Sequence, residues 1–160
     1  MKKLVVISDT HGSRKGIDAL SPLIAENDYL FHLGDGATDI RKEWTEYPDK
    51  AYFCGGNCDY LSALPAEGEV EIERVKVFYC HGHRYGVKSG LGALAAEAKK
   101  RGCALALYGH THRAMIAQID GVTLVNPGSA RYPANEGGSY AYVVVNGEKI
   151  TPVLVGENVW

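Results

Sequence analysis

The stretch Leu4-Val5-Val6-Ile7-Ser8-Asp9-Thr10-His11-Gly12 decides the fold. An apolar, largely β-branched run stops at a carboxylate, one residue is skipped, and an imidazole follows. In an extended chain, residues i and i+2 point to the same face, so Asp9 and His11 are placed to converge just beyond a strand's end. A carboxylate at a buried strand edge is costly unless it has a partner. A divalent cation is such a partner, and the rest of the chain supplies further donors for one.

Working outward, Gly12 permits a turn and Ser13 reads as a helix N-cap. Ile17, Leu20, Leu23 and Ile24 recur at helical spacing over 14–26, and Pro22 predicts a kink or a split there. Residues 29–33 read as a buried strand ending at Gly34-Asp35-Gly36. Strand, helix and strand in so short a span predict a βαβ unit and a parallel sheet. Residues 37–49 read as an irregular helix. Residues 51–54 form a third strand that ends in Gly55-Gly56-Asn57-Cys58-Asp59. Segments 69–73 and 76–80 predict a hairpin turning near Arg74-Val75, whose second strand delivers His81-Gly82-His83. A helix over 90–101 is stopped by Gly102. Residues 104–108 form another buried strand, ending at Gly109-His110-Thr111-His112. The last third holds short β segments at 115–119, 122–125, 140–145 and 149–155. Asp120-Gly121 and Asn146-Gly147 are its two-residue hairpin turns.

Composition bounds the answer. The 160 residues suit a single domain over 1–160, and a net charge of −2 without a basic stripe argues against a dedicated nucleic-acid binder. None of the four cysteines makes a CxxC pair, no leader or membrane span is visible, and a reducing cytoplasm is the simplest compartment. Five apolar runs thus end in Asp9/His11, Asp35, Asn57, His81 and His110/His112. Ligands of open α/β sheets bind outside the carboxyl ends of the strands. Carboxylate, carboxamide and imidazole together suit Mn²⁺, Fe²⁺ or Zn²⁺, and these donors are too many for one ion. Two ions sharing a carboxylate is the economical arrangement.

These residues resemble the calcineurin-like metallophosphoesterase superfamily, and most closely its small prokaryotic phosphodiesterase branch. The family's blocks appear in order as Asp9-Thr10-His11, Gly34-Asp35, Gly56-Asn57-Cys58-Asp59, His81 and Gly109-His110-Thr111-His112, followed by Asn126-Pro127-Gly128-Ser129. The resemblance implies an α/β fold, a four-layer α-β-β-α sandwich with two mixed sheets, with the strand-rich last third in the second sheet. It implies that Asp9, His11 and His112 hold one divalent ion, that Asn57, His81 and His110 hold the other, and that Asp35 bridges. Mn²⁺ is the leading ion, with Fe²⁺, Ni²⁺, Zn²⁺ and Mg²⁺ as alternatives. Such a pair can share a hydroxide that attacks phosphorus in line and can neutralise the phosphoryl oxygens. The catalytic set so implied is Asp35, Asn57, Cys58, Asp59 and His81.

Many relatives carry His where this chain has Cys58, and that His assists the leaving oxygen. A thiol is a weak donor, so the expected substrate is a small phosphodiester rather than a monoester with a poor leaving group. Arg113, His83 and Ser129 are the candidate substrate contacts. Arg14 and Arg131 read as surface residues, His32 as a core histidine, and Asp59 as the residue that orients the Asn57 loop. A second reading is a non-catalytic interaction module of the same fold, and a third a nuclease, which would need a basic groove. Self-association as a homo-oligomer stays open.

Overall fold

Strand β1 (Lys2–Ile7) sends alternate side chains to different layers of the computed structural model, which describes residues 1–156. Leu4 and Val6 pack between two sheets with Phe31, Val77 and Leu105. Val5 and Ile7 face the other way, onto Ile17 and Ile24 of helix α1 (Lys15–Glu26). All four strand residues are fully buried, each worth roughly 1.5–3 kcal/mol of apolar transfer. This two-sided burial is the mark of a central strand with a packed layer on each face.

The first sheet has the order β10-β9-β1-β2-β3. β1, β2 (Tyr29–His32) and β3 (Ala51–Phe53) run parallel, and α2 (Arg41–Glu46) lies between β2 and β3 in the chain. The second sheet has the order β4-β5-β6-β8-β7. Here β5 (Val75–Cys80), β6 (Leu105–Leu107) and β8 (Val122–Pro127) are the parallel trio. β4 (Glu67–Ile72) and β7 (Ala114–Ile119) close its edges antiparallel. Helix α3 (Gly92–Lys100) covers its outer face through Leu94, Ala95 and Ala98 against Phe78, Ala106 and Leu124. Helix, sheet, sheet and helix make the four expected layers, and both sheets are mixed. Among the described residues no helix is long and apolar enough to cross a membrane.

Several expectations are corrected. The last third is divided between the sheets: β7 and β8 join the second, but β9 (Ser139–Asn146) pairs antiparallel with β1 and β10 (Lys149–Gly156) with β9 in the first. Without β9, β1, buried from Leu4 to Ile7, would leave one backbone edge unpaired. Pro22 neither splits nor ends α1; it is exposed, as is Asp18, whose carbonyl it leaves without a donor. Ser13 is not the N-cap; Arg14 holds that position and the Ser13 hydroxyl donates to the Arg131 carbonyl at 2.6 Å. The β9–β10 turn is Gly147-Glu148, since Asn146 pairs with Lys149. The Asp120-Gly121 turn stands as expected, with φ of 51° and 83° at its two residues. The polar stretch 37–49 is helical only at α2.

Candidate metal centre

Both parallel trios end on the same side of the molecule, and their loops carry the donors. β1 leads to Asp9 and His11, β2 to Asp35, and β3 to Asn57. From the second sheet, β5 leads to His81 and β6 to His110 and His112. The loops turn sharply: φ is 56° at Asp9, 46° at His11, 56° at Asp35, 70° at His110 and 58° at His112. Left-handed backbone is uncommon for residues with a side chain, and here it concentrates at the donors.

Each carboxylate is tethered by one oxygen and free at the other. Asp9 Oδ2 accepts from the Ser8 hydroxyl at 2.5 Å and from the His110 amide at 3.0 Å. Asp9 Oδ1 is buried and has no hydrogen-bond partner. Around it stand the Nε2 atoms of His112 at 3.1 Å, His11 at 3.7 Å and His81 at 4.0 Å. Asp35 Oδ1 accepts from the Cys58 amide at 2.8 Å, while Oδ2 lies 3.4 Å from His81 Nε2 and 3.8 Å from His11 Nε2. His11 and His112 bring their Nε2 atoms to 3.0 Å, His81 Nε2 is 3.1 Å from Asn57 Oδ1, and His110 Nδ1 is 3.2 Å from His81 Nε2. Three groups of potential ligand atoms, each within 4.8 Å of one another, follow: Asp9 with His11 and His112; Asp9 with Asp35 and His81; His11 with Asp35 and Cys58.

The electrostatics are those of a cluster whose carboxylates are held ionised and draw positive charge toward them. Burial would raise the Asp9 and Asp35 carboxyls, but His112 beside Asp9 and His81 beside Asp35 outweigh it and hold both below their ordinary value. Burial lowers His81, yet Asp35 and Asp9 leave its imidazole raised; Asp9 also raises His112. His110 is lowered by burial, with His81 and Lys88 adding to it. His81 Nδ1 meets the Leu33 carbonyl at 2.7 Å, so that nitrogen carries the proton and Nε2 faces the other donors.

Asp59 does orient the Asn57 loop, and also the Asp35 loop: its carboxylate accepts from the amides of Gly56 at 2.9 Å, Asp35 at 2.6 Å, Gly36 at 3.1 Å and Ala37 at 2.9 Å. A side chain on Gly56 would collide with the Asp35 carboxylate, which keeps those loops in contact. His32 is satisfied in the core: the Gly34 amide donates to Nδ1 at 3.2 Å, so Nε2 donates to Thr10 Oγ1 at 3.1 Å. Thr10 in turn donates to Asp39 Oδ2 at 2.7 Å, which also accepts from the Gly12 amide. The chain Thr10–Asp39 thereby fixes the turn between Asp9 and His11, and only the residue types in a polar loop could have hinted at it.

Asn126, read from sequence as part of a turn, lies in β8 and braces the His110 loop. Its amide donates to the Gly109 carbonyl at 2.9 Å and to Thr111 Oγ1 at 3.0 Å. Ser129 donates to the Asp9 carbonyl at 2.7 Å, so its hydroxyl supports the first loop. Arg113 lines a separate cavity of about 500 Å³ with Lys88 and Tyr108. Arg14 is tied to Glu43, Asp18 and the Asp39 carbonyl, and the Arg131 guanidinium lies over the Tyr132 ring. His83 stands beside His81, with ring centres 5.4 Å apart, and its buried Nδ1 has no partner. The exposed Cys58 thiol is raised by burial and by Asp35. It lines a cleft of about 690 Å³ that His11 and Asp35 share with Arg41, Trp44, Tyr60 and Leu61.

A family model described as the calcineurin-like phosphoesterase superfamily domain matches residues 1–148. The chain is 28% identical over 150 residues to the probable metallophosphoesterase YsnB of Bacillus subtilis, covering 92% of this chain and 87% of that protein. Among solved structures, a conserved Streptococcus pneumoniae protein described as a predicted phosphoesterase superposes with a TM-score of 0.79 at 22% identity, over 96% of this chain and 88% of that one. Vacuolar Protein Sorting 29 of Cryptosporidium parvum gives 0.78 at 18% identity, over 96% of both chains. At these identities the two structures speak for the fold alone.

Proposed function

The chain belongs to the calcineurin-like phosphoesterase superfamily, and from that premise we propose that it is a dinuclear metal-dependent phosphoesterase acting on phosphodiesters in preference to monoesters. Asp9, His11 and His112 would hold one ion, Asn57, His81 and His110 the other, and Asp35 would bridge. One observation carries this reading: a fully buried carboxylate oxygen, Asp9 Oδ1, has no hydrogen-bond partner and is ringed by imidazole nitrogens. Left so, it would cost several kcal/mol; a cation accounts for it. Donor spacing supports the division into two sets. Atoms about 2.1 Å from a common ion stand roughly 3.0–3.4 Å apart in octahedral or tetrahedral arrangements. The 3.0 Å gap from His11 to His112, the 3.1 Å gap from His112 to Asp9, and the 3.1 and 3.2 Å gaps from His81 to Asn57 and His110 lie in that range, while His11 stands wider from Asp9 at 3.7 Å. Asp35 Oδ2 reaches toward both sets.

Two divalent ions, Mn²⁺ foremost, would there offset charge on the phosphoryl oxygens and lower the pKa of a water. The chain's own part is positional. Asp59 holds the Asp35 and Asn57 loops together through backbone amides, while Asn126 and Ser129 brace the His110 and Asp9 loops. Cys58 stands beside Asp35 with its thiol kept protonated, a weak donor to a departing alkoxide. That weakness favours diesters with stable leaving alcohols. The interaction-module reading has less support, since every donor type of the site is present. Four free cysteines fit a reducing cytoplasm, and the whole of 1–160 is taken as one domain.

The test is a screen of phosphodiesters and monoesters against metal-stripped protein with Mn²⁺, Ni²⁺, Zn²⁺ or Mg²⁺ restored. Aryl diesters should turn over well and alkyl monoesters poorly. Cys58→His should raise the monoester-to-diester rate ratio, by up to the 10²-fold at the lower end of general-acid effects. A fully metallated variant with an unchanged ratio would remove Cys58 from the explanation, and no turnover with any metal would overturn the enzyme reading.

A further inference from the structure

The cleft that begins at His11, Asp35 and Cys58 continues along a wall unusual for a solvent-facing surface. Trp44 is 46% exposed, Tyr60 82% and Leu61 90%, three large apolar side chains on one concavity. Large apolar groups clustered in a groove mark ligand sites more often than ordinary surface. The wall is built: Trp44 leans on Phe53 with ring centres 5.9 Å apart, and the loop bearing Tyr60 and Leu61 is fixed at Asp59 by its amide bonds to Gly36 and Ala37. Arg41 is the one arginine or lysine lining it, and among the described residues its guanidinium has no ion pair.

We propose that this cleft is a subsite for a planar aromatic ring, a nucleobase or aryl group, on one ester arm of the substrate, with Trp44 and Tyr60 as its specificity-determining residues. The proposal rests on the phosphoesterase reading for the position of the phosphate. Because the cleft shares His11, Asp35 and Cys58 with the donor cluster, a ring seated there is attached to the phosphate on the side where Cys58 faces the departing oxygen. Indole and phenol rings stack on either kind of aromatic ring with little sequence or substituent preference, at roughly 5- to 150-fold in affinity per stacked ring. Arg41 adds a cation for ring acceptors or the π face.

The experiment compares two phosphodiesters with the same leaving sugar, one carrying a nucleobase and one with hydrogen in its place, so that leaving-group pKa is nearly constant. Wild type should favour the base-bearing ester by about tenfold or more in kcat/KM, mostly through KM. Trp44→Ala and Tyr60→Ala should each draw that ratio toward one, while Val153→Ala, on the exposed face of β10, should leave it at the wild-type value. A second readout needs no turnover. In a Trp160→Phe background, which leaves Trp44 as the sole tryptophan, adenosine monophosphate should quench fluorescence at lower concentration than ribose 5-phosphate does. Including 1-naphthyl phosphate tells a base from a plain aryl ring; either one binding better than ribose 5-phosphate sustains the aromatic subsite. Equal binding of all three with a rate ratio near one overturns it and leaves Tyr60 and Leu61 as a protein-contact surface. Quenching by the aromatic ligands without turnover of any ester would keep the subsite and remove the enzyme reading.

Discussion

Five of the seven proposed ligands sit in left-handed backbone, which costs each about 1–2 kcal/mol relative to ordinary regions. The strain lets a chain leaving a strand turn back within two residues and present its side chain to a common point. Asp35 is the most informative of them. Asn tolerates the same backbone region, so Asp35→Asn keeps shape and conformation and removes one negative charge. Bound metal should fall from two equivalents toward one, and kcat/KM should drop by at least 10²-fold. Elemental analysis showing two retained ions, with turnover near wild type, would take the bridging role from Asp35. His32 gives a pH prediction. Burial lowers its imidazole from 6.5 to about 4, so the folded state favours the neutral ring. Its contribution is complete above pH 6.5, is lost as pH falls from 6.5 to 4, and changes no further below that. The loss is on the order of 3 kcal/mol. Urea unfolding of metal-stripped wild type and His32→Gln across this range should show that component in wild type alone. Parallel curves would mean that His32 protonates without penalty.

Helix α1 shows how an element's fit decides the sign of a substitution. Gly16 is buried where a Cβ would meet the Ala130 carbonyl oxygen and crowd that of Tyr132. Helix propensity favours Ala over Gly by about 1 kcal/mol, but overpacking against backbone typically costs 1–3. Gly16→Ala should therefore lower the urea midpoint, and it should weaken metal binding too, since the pushed segment carries Ser129 to the Asp9 carbonyl. A raised midpoint would show the 130–132 segment giving way freely. The elements that sequence made legible are those with local signals: apolar runs ending in a donor for β1, β2, β3, β5 and β6, and the Asp-Gly turn between β7 and β8. Sheet membership of β9 and β10 is not local. Their alternating residues suit either sheet, and only the unpaired edge of β1 selects the first. Likewise Asn126 lies in a stretch whose composition says turn, while its function is a hydrogen bond to a loop seventeen residues away in sequence. The partners of Ser129 and Arg14 are hidden for the same reason: a short polar side chain or a lone Arg carries no sign of which group the fold will bring to it.

At the scale of the molecule, ligands that bind the native chain and not the unfolded one stabilise it by mass action, roughly 2.7 kcal/mol at a hundredfold excess over Kd. Calorimetry of stripped protein should show a melting temperature rising with Mn²⁺, and His112→Ala should blunt the rise. A melting curve unmoved by millimolar Mn²⁺ would count against the whole centre. The donors also straddle the seam of the sandwich. Asp9, His11, Asp35 and Asn57 follow strands of the first sheet, and His81, His110 and His112 follow strands of the second. The seven meet only after the sheets have docked, an event that comes late among contacts so distant in sequence. Bonds made after the rate-limiting barrier leave the rate of folding untouched and slow the reverse. In stopped-flow chevrons Mn²⁺ should thus shift the unfolding limb downward and hardly move the refolding limb. The metal pair would then act as a clasp between two halves: it sets how long the folded molecule lasts and contributes nothing to how quickly it is made.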